Sequence, residues 1–341
     1  MGDLTASPVL PSVHPSIEAL LEGATSREVM SHTDSKSGAR FERVIIGGES
    51  FVVKYLDLTS DWTLRTLGDL GCATLRLWST GILDRLPDCI VQPIVAIACD
   101  PGQWPPSRAS ALLMRDIGDT LVPPGDDPIP LSQHLGFLDH MAAMHAAFWM
   151  AGPEIDIIPM TNRYLELSPW LAITEAQRGG DGLVPRLVGE GWRRLEEIAP
   201  DIAANVLPLA WDPSPLVEAL LTTPSTFVHG NWKFGNLGTA SDGRTVVIDW
   251  ESPGRGHSCA DLAWYLAINS ARLPQSKEAA MEGFRAALER QGVDTAPWWE
   301  RQMALALLGA LVQFGWEKAL GDRNDELDWW GRRAAAGRAF L

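Results

Sequence analysis

Two short stretches constrain this chain more than the rest of it. They are Phe227-Val-His-Gly-Asn-Trp-Lys-Phe-Gly-Asn-Leu-Gly238 and Val246-Val-Ile-Asp-Trp-Glu251. The first reads as a loop and the second as a strand end. Between them, Ser241-Asp-Gly-Arg244 is a hairpin turn signal with apolar residues on both sides. A hairpin returns the chain on itself and so brings Asp249 back beside Asn236. An amide oxygen and a carboxylate close together at a strand end are hard-oxygen ligands, suited to Mg²⁺ carrying a nucleotide's phosphates. Taken singly, Asn236 reads as a turn residue and Asp249 as a cap. Together with His229-Gly230 and Trp250 they read as a metal–phosphate site.

Lys54 lies inside the apolar run Phe51-Val-Val-Lys-Tyr-Leu56. A lysine in such a run either points to solvent from an edge strand or neutralises a phosphate. Its place one strand after a polar, glycine-containing turn favours the phosphate. That turn, Asp34-Ser-Lys-Ser-Gly-Ala-Arg40, offers Ser35, Ser37 and Gly38 as hydroxyl and backbone N–H donors over phosphates. Many ordinary hairpins have the same composition.

A short helical pattern (Ile17, Leu20, Leu21) opens the chain, followed by three strands over Arg27–Thr33, Phe41–Ile46 and Ser50–Leu56, the last two joined by Gly47-Gly48. Residues 61–86 carry a helical period. Ile90–Cys99 and Ala111–Met114 read as buried strands, and Pro101–Pro106 and Val122–Pro130 as loops. A helix is expected over Ser132–Met150, with Leu135, Leu138, Met141, Ala142, His145 and Trp149 on one stripe. Residues 152–223 are helical with breaks, 226–250 are short strands and loop, and the chain is helical again from Asp261, interrupted at Pro274 and Pro297. Strands first and helices after imply an α+β chain of two lobes. The joint is expected near Met114–Gly118, dividing the chain into residues 1–116 and 117–341.

The chain has 341 residues and is 46% hydrophobic, enough for a substantial core. Its net charge of −15 argues against a nucleic-acid partner, which needs a basic face. The charge is compatible with a cationic small molecule, and equally with a surface that is acidic for solubility. The four cysteines show neither C-x-x-C spacing nor a His cluster, so buried thiols are expected rather than disulfides or zinc. No Lys or Arg precedes Arg27, and Gly2 lacks the Ser or Thr at position 6 of a myristoylation signal. The apolar stretch Met303–Val312 is too short to span a bilayer. No membrane association is expected, and the expected compartment is the cytoplasm. Most of the 15 tryptophans are expected in the core.

The chain resembles the aminoglycoside phosphotransferase/choline kinase-like family, which shares the protein-kinase fold. The resemblance spans roughly residues 25–320. The family's H-G-D-x-x-x-x-N loop appears as His229-Gly230-Asn231-Trp-Lys-Phe-Gly-Asn236, and its following strand end as Ile248-Asp249-Trp250. Met141-Ala-Ala-Met-His-Ala-Ala-Phe148 resembles the family's helix ending in L-H. Asp261-Leu-Ala-Trp-Tyr-Leu266 resembles its D-L-A helix, whose Asp braces the catalytic loop.

The resemblance implies a bilobal fold with a small β-rich amino-terminal lobe and a larger, mainly helical carboxy-terminal one. It implies ATP and Mg²⁺ as cofactors. Lys54 would hold the α- and β-phosphates, Asn236 and Asp249 would bind Mg²⁺, and the segment Met114–Ile117, with Met114 and Asp116, would meet the purine. His229 belongs to the catalytic loop. Acidic and aromatic residues (Glu154, Asp156, Glu166, Trp170, Glu175) are candidates for the acceptor wall.

Two departures from the family pattern stand out. Asn231 replaces the catalytic Asp, and an amide cannot take up a proton at neutral pH. Glu251 is the nearest carboxylate in sequence that could substitute as base, though it could also bind metal through water or cap a turn. Second, the family's Lys pairs with a Glu on the next helix, yet no Glu occurs between Glu49 and Glu154. Asp69 or Asp61 would have to reach instead. The expected function is phosphorylation of a hydroxyl on an aminoglycoside-like molecule, a sugar or an amino alcohol. The alternative is a nucleotide-binding pseudokinase with a regulatory or ligand-binding role.

Overall fold

The computed structural model describes residues 12–30, 37–99 and 110–341. In chain order its elements begin with β1 (Ser12–His14), α1 (Ile17–Leu20), β2 (Ala24–Met30), β3 (Arg40–Ile46), β4 (Glu49–Leu56), α2 (Trp62–Thr66), α3 (Ala73–Ser79), β5 (Ile90–Val91), β6 (Ile94–Cys99) and β7 (Ser110–Arg115). Helices follow: α4 (Leu131–Ala147), α5 (Met160–Leu165), α6 (Pro169–Gln177), α7 (Leu183–Ile198), α8 (Pro200–Trp211) and α9 (Ser214–Leu220). Then come β8 (Thr226–Val228), β9 (Leu237–Thr239), β10 (Thr245–Val247) and β11 (Gly254–Gly256). The chain closes with α10 (Ser258–Ile268), α11 (Lys277–Arg290), α12 (Trp299–Lys318) and α13 (Asp325–Arg338). The fold is α+β, with a β-rich amino-terminal region and a helical carboxy-terminal part.

The residues form two compact units, Met1–Val122 with Gly235–Glu251, and Pro123–Phe234 with Ser252–Leu341. The first unit is thus not the continuous segment 1–116 of the sequence reading. The hairpin that follows the loop motif joins it because β10 pairs in parallel with β5 and antiparallel with β9. Gly238 also bridges to Leu121.

The main sheet of the first unit runs β1-β6-β7-β4-β3-β2. Gly47 and Gly48 turn β3 into β4 with φ of 61° and 87°, a left-handed pair that favours glycine and matches the strand twist. One face of the sheet buries Val44, Val53, Tyr55, Ala111 and Leu113 with Leu20 and Leu21. Side chains alternate along β4, so Lys54 points away from Val53 and Tyr55. The strand expected over Arg27–Thr33 runs Ala24–Met30; residues 31–33 lie outside the described residues, as does the loop expected at Pro101–Pro106. The strand expected over Ile90–Cys99 is broken into β5 and β6. Pro93 has no N–H for a ladder, and the Gln92 side chain accepts from the Ile94 N–H at 2.7 Å and donates to its carbonyl at 3.2 Å.

In the second unit α12 is buried on nearly every side, and α7, α8, α10 and α13 pack around it. Close approach depends on small residues. A Cβ at Gly191 on α7 would stand 2.1 Å from the Trp316 carbonyl oxygen, and one at Gly337 on α13 would stand 2.4 Å from that of Ala304. Of the tryptophans, Trp192, Trp264, Trp299 and Trp330 are buried here, as expected, whereas Trp170 and Trp211 are exposed. Among the described residues no helix is long and apolar enough to cross a membrane.

The obstruction at Gly191 is a backbone carbonyl, which cannot rotate aside. Gly191→Ala is therefore expected to destabilise the protein by about 1–3 kcal/mol, the usual cost of overpacking, despite alanine's better helix propensity. Urea unfolding of the variant beside the wild type measures it.

Candidate active site

In the first unit the hairpin works as the sequence implies. The Ile248 N–H donates to the Asn236 carbonyl at 3.0 Å, which brings the Asn236 amide within 3.3 Å of Asp249 Oδ2. Asp249 has φ of 69°, a left-handed conformation that costs energy for a residue with a side chain. The Thr74 hydroxyl holds the next residue by donating to the Trp250 carbonyl at 3.1 Å.

Lys54 is buried on β4 and donates to Asp249 Oδ1 at 2.6 Å. It also forms an ion pair with Glu251. Burial opposes the ammonium charge, but Asp249 and Glu251 outweigh it and raise the lysine pKa. Glu251 is pushed up to about 8, first by burial and then by Asp249, with Lys54 acting in the opposite direction. Glu251, read above as a stand-in base, is thus the partner of Lys54.

Neither aspartate expected to pair with Lys54 forms an ion pair with it, although the Lys54 charge acts on Asp61 against the upward push of burial. Asp61 caps α2, accepting from the N–H groups of Thr63 and Leu64 at 2.8 and 3.3 Å. Asp69 accepts from the Ala73 N–H at 2.9 Å at the start of α3, and burial pushes its pKa up to about 6.

The turn read as a phosphate cover is laced to the start of α2. The Ser37 hydroxyl donates to Asp61 Oδ2 at 3.0 Å, and the Ser37 carbonyl accepts from the Trp62 N–H at 3.1 Å. Gly38 has φ of 93°, and a Cβ there would stand 2.5 Å from the Ser60 carbonyl oxygen. Ser35 lies outside the described residues. Met114 pairs with Val52 and Ile94 in the sheet. Asp116 accepts from Arg43 Nε at 2.8 Å and the Ser50 hydroxyl at 2.9 Å, and its own N–H donates to the Ser50 carbonyl at 3.3 Å. Its side chain therefore braces the end of β7.

In the second unit β8 and β11 pair and lead into the loop. Asp261 on α10 accepts from the His229 N–H at 2.8 Å with one carboxylate oxygen and from the Gly230 N–H at 2.9 Å with the other. This is the brace the D-L-A resemblance implies. Gly230 has φ of 77°, and a Cβ there would stand 2.2 Å from the Ser252 carbonyl oxygen, so the turn admits glycine alone. The Asn231 N–H donates to His229 Nδ1 at 3.2 Å, which places the histidine proton on Nε2. His229 is fully buried and shapes the turn from inside. Asn269 accepts from the Phe234 N–H at 3.0 Å and ties down the far side of the loop.

Burial pushes Asp261 up to about 6, against the two N–H donors and the nearby Arg163. His145, beneath β8, is pushed down to about 3 by burial; its Nδ1 lies 3.1 Å from the Phe227 carbonyl and so carries the proton. Arg163, Arg255 and Asn269 were missed in the sequence. Nothing in their local composition separates them from solvent-facing residues. Of the acceptor-wall candidates, Asp156 pairs with Arg255 at 2.6 Å, Glu166 and Glu175 are buried, Glu154 folds beside Gly152, and Trp170 meets Trp211 edge-on at 5.0 Å.

The sequence profile of a family described as the phosphotransferase enzyme family matches residues 85–300. The chain belongs to that family. Among solved structures, one similar to it is a choline kinase from Streptococcus pneumoniae, with a TM-score of 0.50 and 13% identity over 95% of this chain and 96% of that one. Another is a microcompartment-associated aminopropanol kinase, with a TM-score of 0.51 and 13% identity over 93% and 90%. At such identity the likeness shows the kinase-like fold alone. No curated protein matches the chain by sequence.

His145 yields a pH prediction. Its pKa is about 3 in the folded chain and near 6.5 when exposed, so its contribution is intact above pH 6.5 and is lost as pH falls. From pH 7 to pH 5 the wild type should lose about 2 kcal/mol relative to His145→Gln, which lacks the titrating ring. Urea unfolding of both proteins at the two pH values tests this.

Proposed function

We propose that the chain is an ATP- and Mg²⁺-dependent kinase that phosphorylates a hydroxyl of a small molecule. The observation that carries the reading is the group of buried Lys54, Glu251 and Asn236 with partly exposed Asp249. Asp249 and Glu251 flank the one ammonium, and burial, then Asp249, push Glu251 up, so Lys54 and Asp249 carry the charge of the group. Among the described residues no cluster of three or more His, Cys, Asp or Glu forms a metal site by itself. An amide oxygen and a carboxylate, completed by phosphate oxygens and water, are a ligand set that Mg²⁺ accepts.

Asn236 and Asp249 would hold Mg²⁺, and Lys54 would meet the phosphates once its ammonium is shared with them. Glu251 keeps Lys54 extended, the task the sequence reading sought on the next helix. The segment at Met114–Ile117 would meet the purine through its backbone. Bound Mg·ATP supplies the phosphoryl group and neutralises charge in its transfer. Asn231 would orient the acceptor hydroxyl, and His229 and Asp261 hold the turn that carries it. An amide orients but takes no proton, so the hydroxyl proton leaves to solvent or to the phosphate itself.

The acceptor is an amino alcohol, a sugar or an aminoglycoside-like molecule. The two structural relatives above are named for choline and aminopropanol, and the acidic chain suits such cations. The cytoplasm, where ATP is supplied, is the expected compartment. Asn231 also favours a second reading, a nucleotide-binding pseudokinase.

A transfer assay on a panel of amino alcohols, sugars and aminoglycosides, with wild type and Asn231→Asp side by side, separates the two. The kinase reading expects turnover by the wild type and a rise in kcat of about 10²-fold in the variant, the lower range for a positioned base. Turnover by the wild type with no gain in the variant would show that a base is not what Asn231 lacks. No turnover by either protein would favour the pseudokinase.

A further inference from the structure

Against the catalytic loop, within the second unit, lies a small, partly open cavity of about 30 Å³, lined by Arg163, Gly230, His257, Asp261, Trp264 and Gln313 among others. Its walls carry polar groups with no protein partner. One ring nitrogen of the fully buried His257 meets the Leu220 backbone, while the other, and the indole N–H of Trp264, more than nine-tenths buried, find no protein partner. A buried polar group left unpaired costs about 1–3 kcal/mol, and two of them at one cavity are out of keeping with a packed core.

The charges around the cavity select its guest. Arg163 spends one guanidinium nitrogen on the Ile158 carbonyl at 2.7 Å and another on the Arg255 carbonyl. The Gln313 amide donates to the Arg163 carbonyl at 3.0 Å. Asp261 brings a carboxylate to the same wall, so the charges of Arg163 and Asp261 oppose each other. Burial, helped by Arg163 and Arg255, pushes the His257 pKa down to about 3, with the Leu220 backbone acting the other way, so the ring is neutral. With its N–H engaged by the Leu220 backbone, the ring offers the cavity an acceptor. Trp264 offers a donor only. Each Asp261 oxygen accepts one backbone N–H and retains a lone pair. An anion would face the carboxylate and a cation the guanidinium. A guest that both donates and accepts, and is neutral, satisfies the walls.

We infer that this cavity is a binding site for ordered water, and that the water links His257 and Trp264 to Asp261 and so helps to hold the carboxylate under His229 and Gly230. The volume has room for about two or three molecules, since a water needs about 10–15 Å³ by this measure and two to four polar partners. His257 and Trp264 are then positioning residues, which act on the loop through water and Asp261. The site belongs to the brace of the loop and stands whether or not the chain transfers phosphate.

The test is a crystal structure of the full chain, with a bromide soak, and amide hydrogen exchange of wild type, His257→Phe and Trp264→Phe. A solvent peak within hydrogen-bond reach of Trp264 Nε1 and His257, without an anomalous bromide signal, is expected. In His257→Phe the peak should be lost, and the His229 and Gly230 amides should exchange about tenfold faster than in the wild type, the equivalent of about one hydrogen bond. Trp264→Phe, which removes only a donor from the cavity wall, should shift the same two amides by less, and serves if the histidine variant does not fold. A dry cavity, a bromide peak, or unchanged exchange at both amides in the variants that fold would overturn the inference.

Discussion

A buried ammonium held between two carboxylates governs the first unit. Lys54 sits mid-strand on β4, hydrogen-bonded on both sides by β3 and β7, so its base is rigid. Desolvating that charge is costly, and removing one partner from such a group typically costs about 3–5 kcal/mol. The arrangement is nonetheless poor as a purely structural device. It crowds two acidic groups onto one lysine and holds Glu251 well above its usual range, and its Asp249 stands in a left-handed conformation that only surrounding hydrogen bonds sustain. A group that gathers strain and a perturbed carboxyl around one lysine is suited to receive a cation and phosphates.

Asp261 plays the corresponding part in the second unit. One carboxylate grips two consecutive backbone N–H groups, a turn that Gly230 alone can make, while His229 fills its inside. Asn269 and the cavity wall of His257 and Trp264 extend the same support. All this scaffolding presents Asn231, whose amide has the shape of an aspartate but not its basicity. Phosphoryl transfer depends mainly on positioning and charge neutralisation, so on the proposed kinase reading an amide in place of a base is compatible with slow chemistry.

Much of this was legible in the sequence because the decisive signals are local. The loop, the Ser241–Arg244 turn and the Asp249 strand end lie within one short segment, and hairpin geometry alone brings Asn236 to Asp249. The Gly47-Gly48 turn is equally local. What escaped was partner choice. Asp61 and Asp69 were read as partners of Lys54, yet each stands at a helix start, where free N–H groups compete for a carboxylate. Glu251 was read as a base because its distance from Lys54 in sequence hides their contact in space. Arg163 is buried and Arg255 half-buried by tertiary packing that no local pattern announces. The discontinuous first unit follows from a parallel pairing of β5 with β10, far apart in the chain.

The central claim is that Lys54, Asp249 and Asn236 form a magnesium–nucleotide site. Calorimetric titration of ATP into the purified protein, with Mg²⁺ and with EDTA, tests it most directly when repeated on Lys54→Ala and Asp249→Ala variants shown to be folded. Binding that requires Mg²⁺ and is lost in both variants is the predicted result. No binding by the wild type, or binding that survives in both variants, would contradict it.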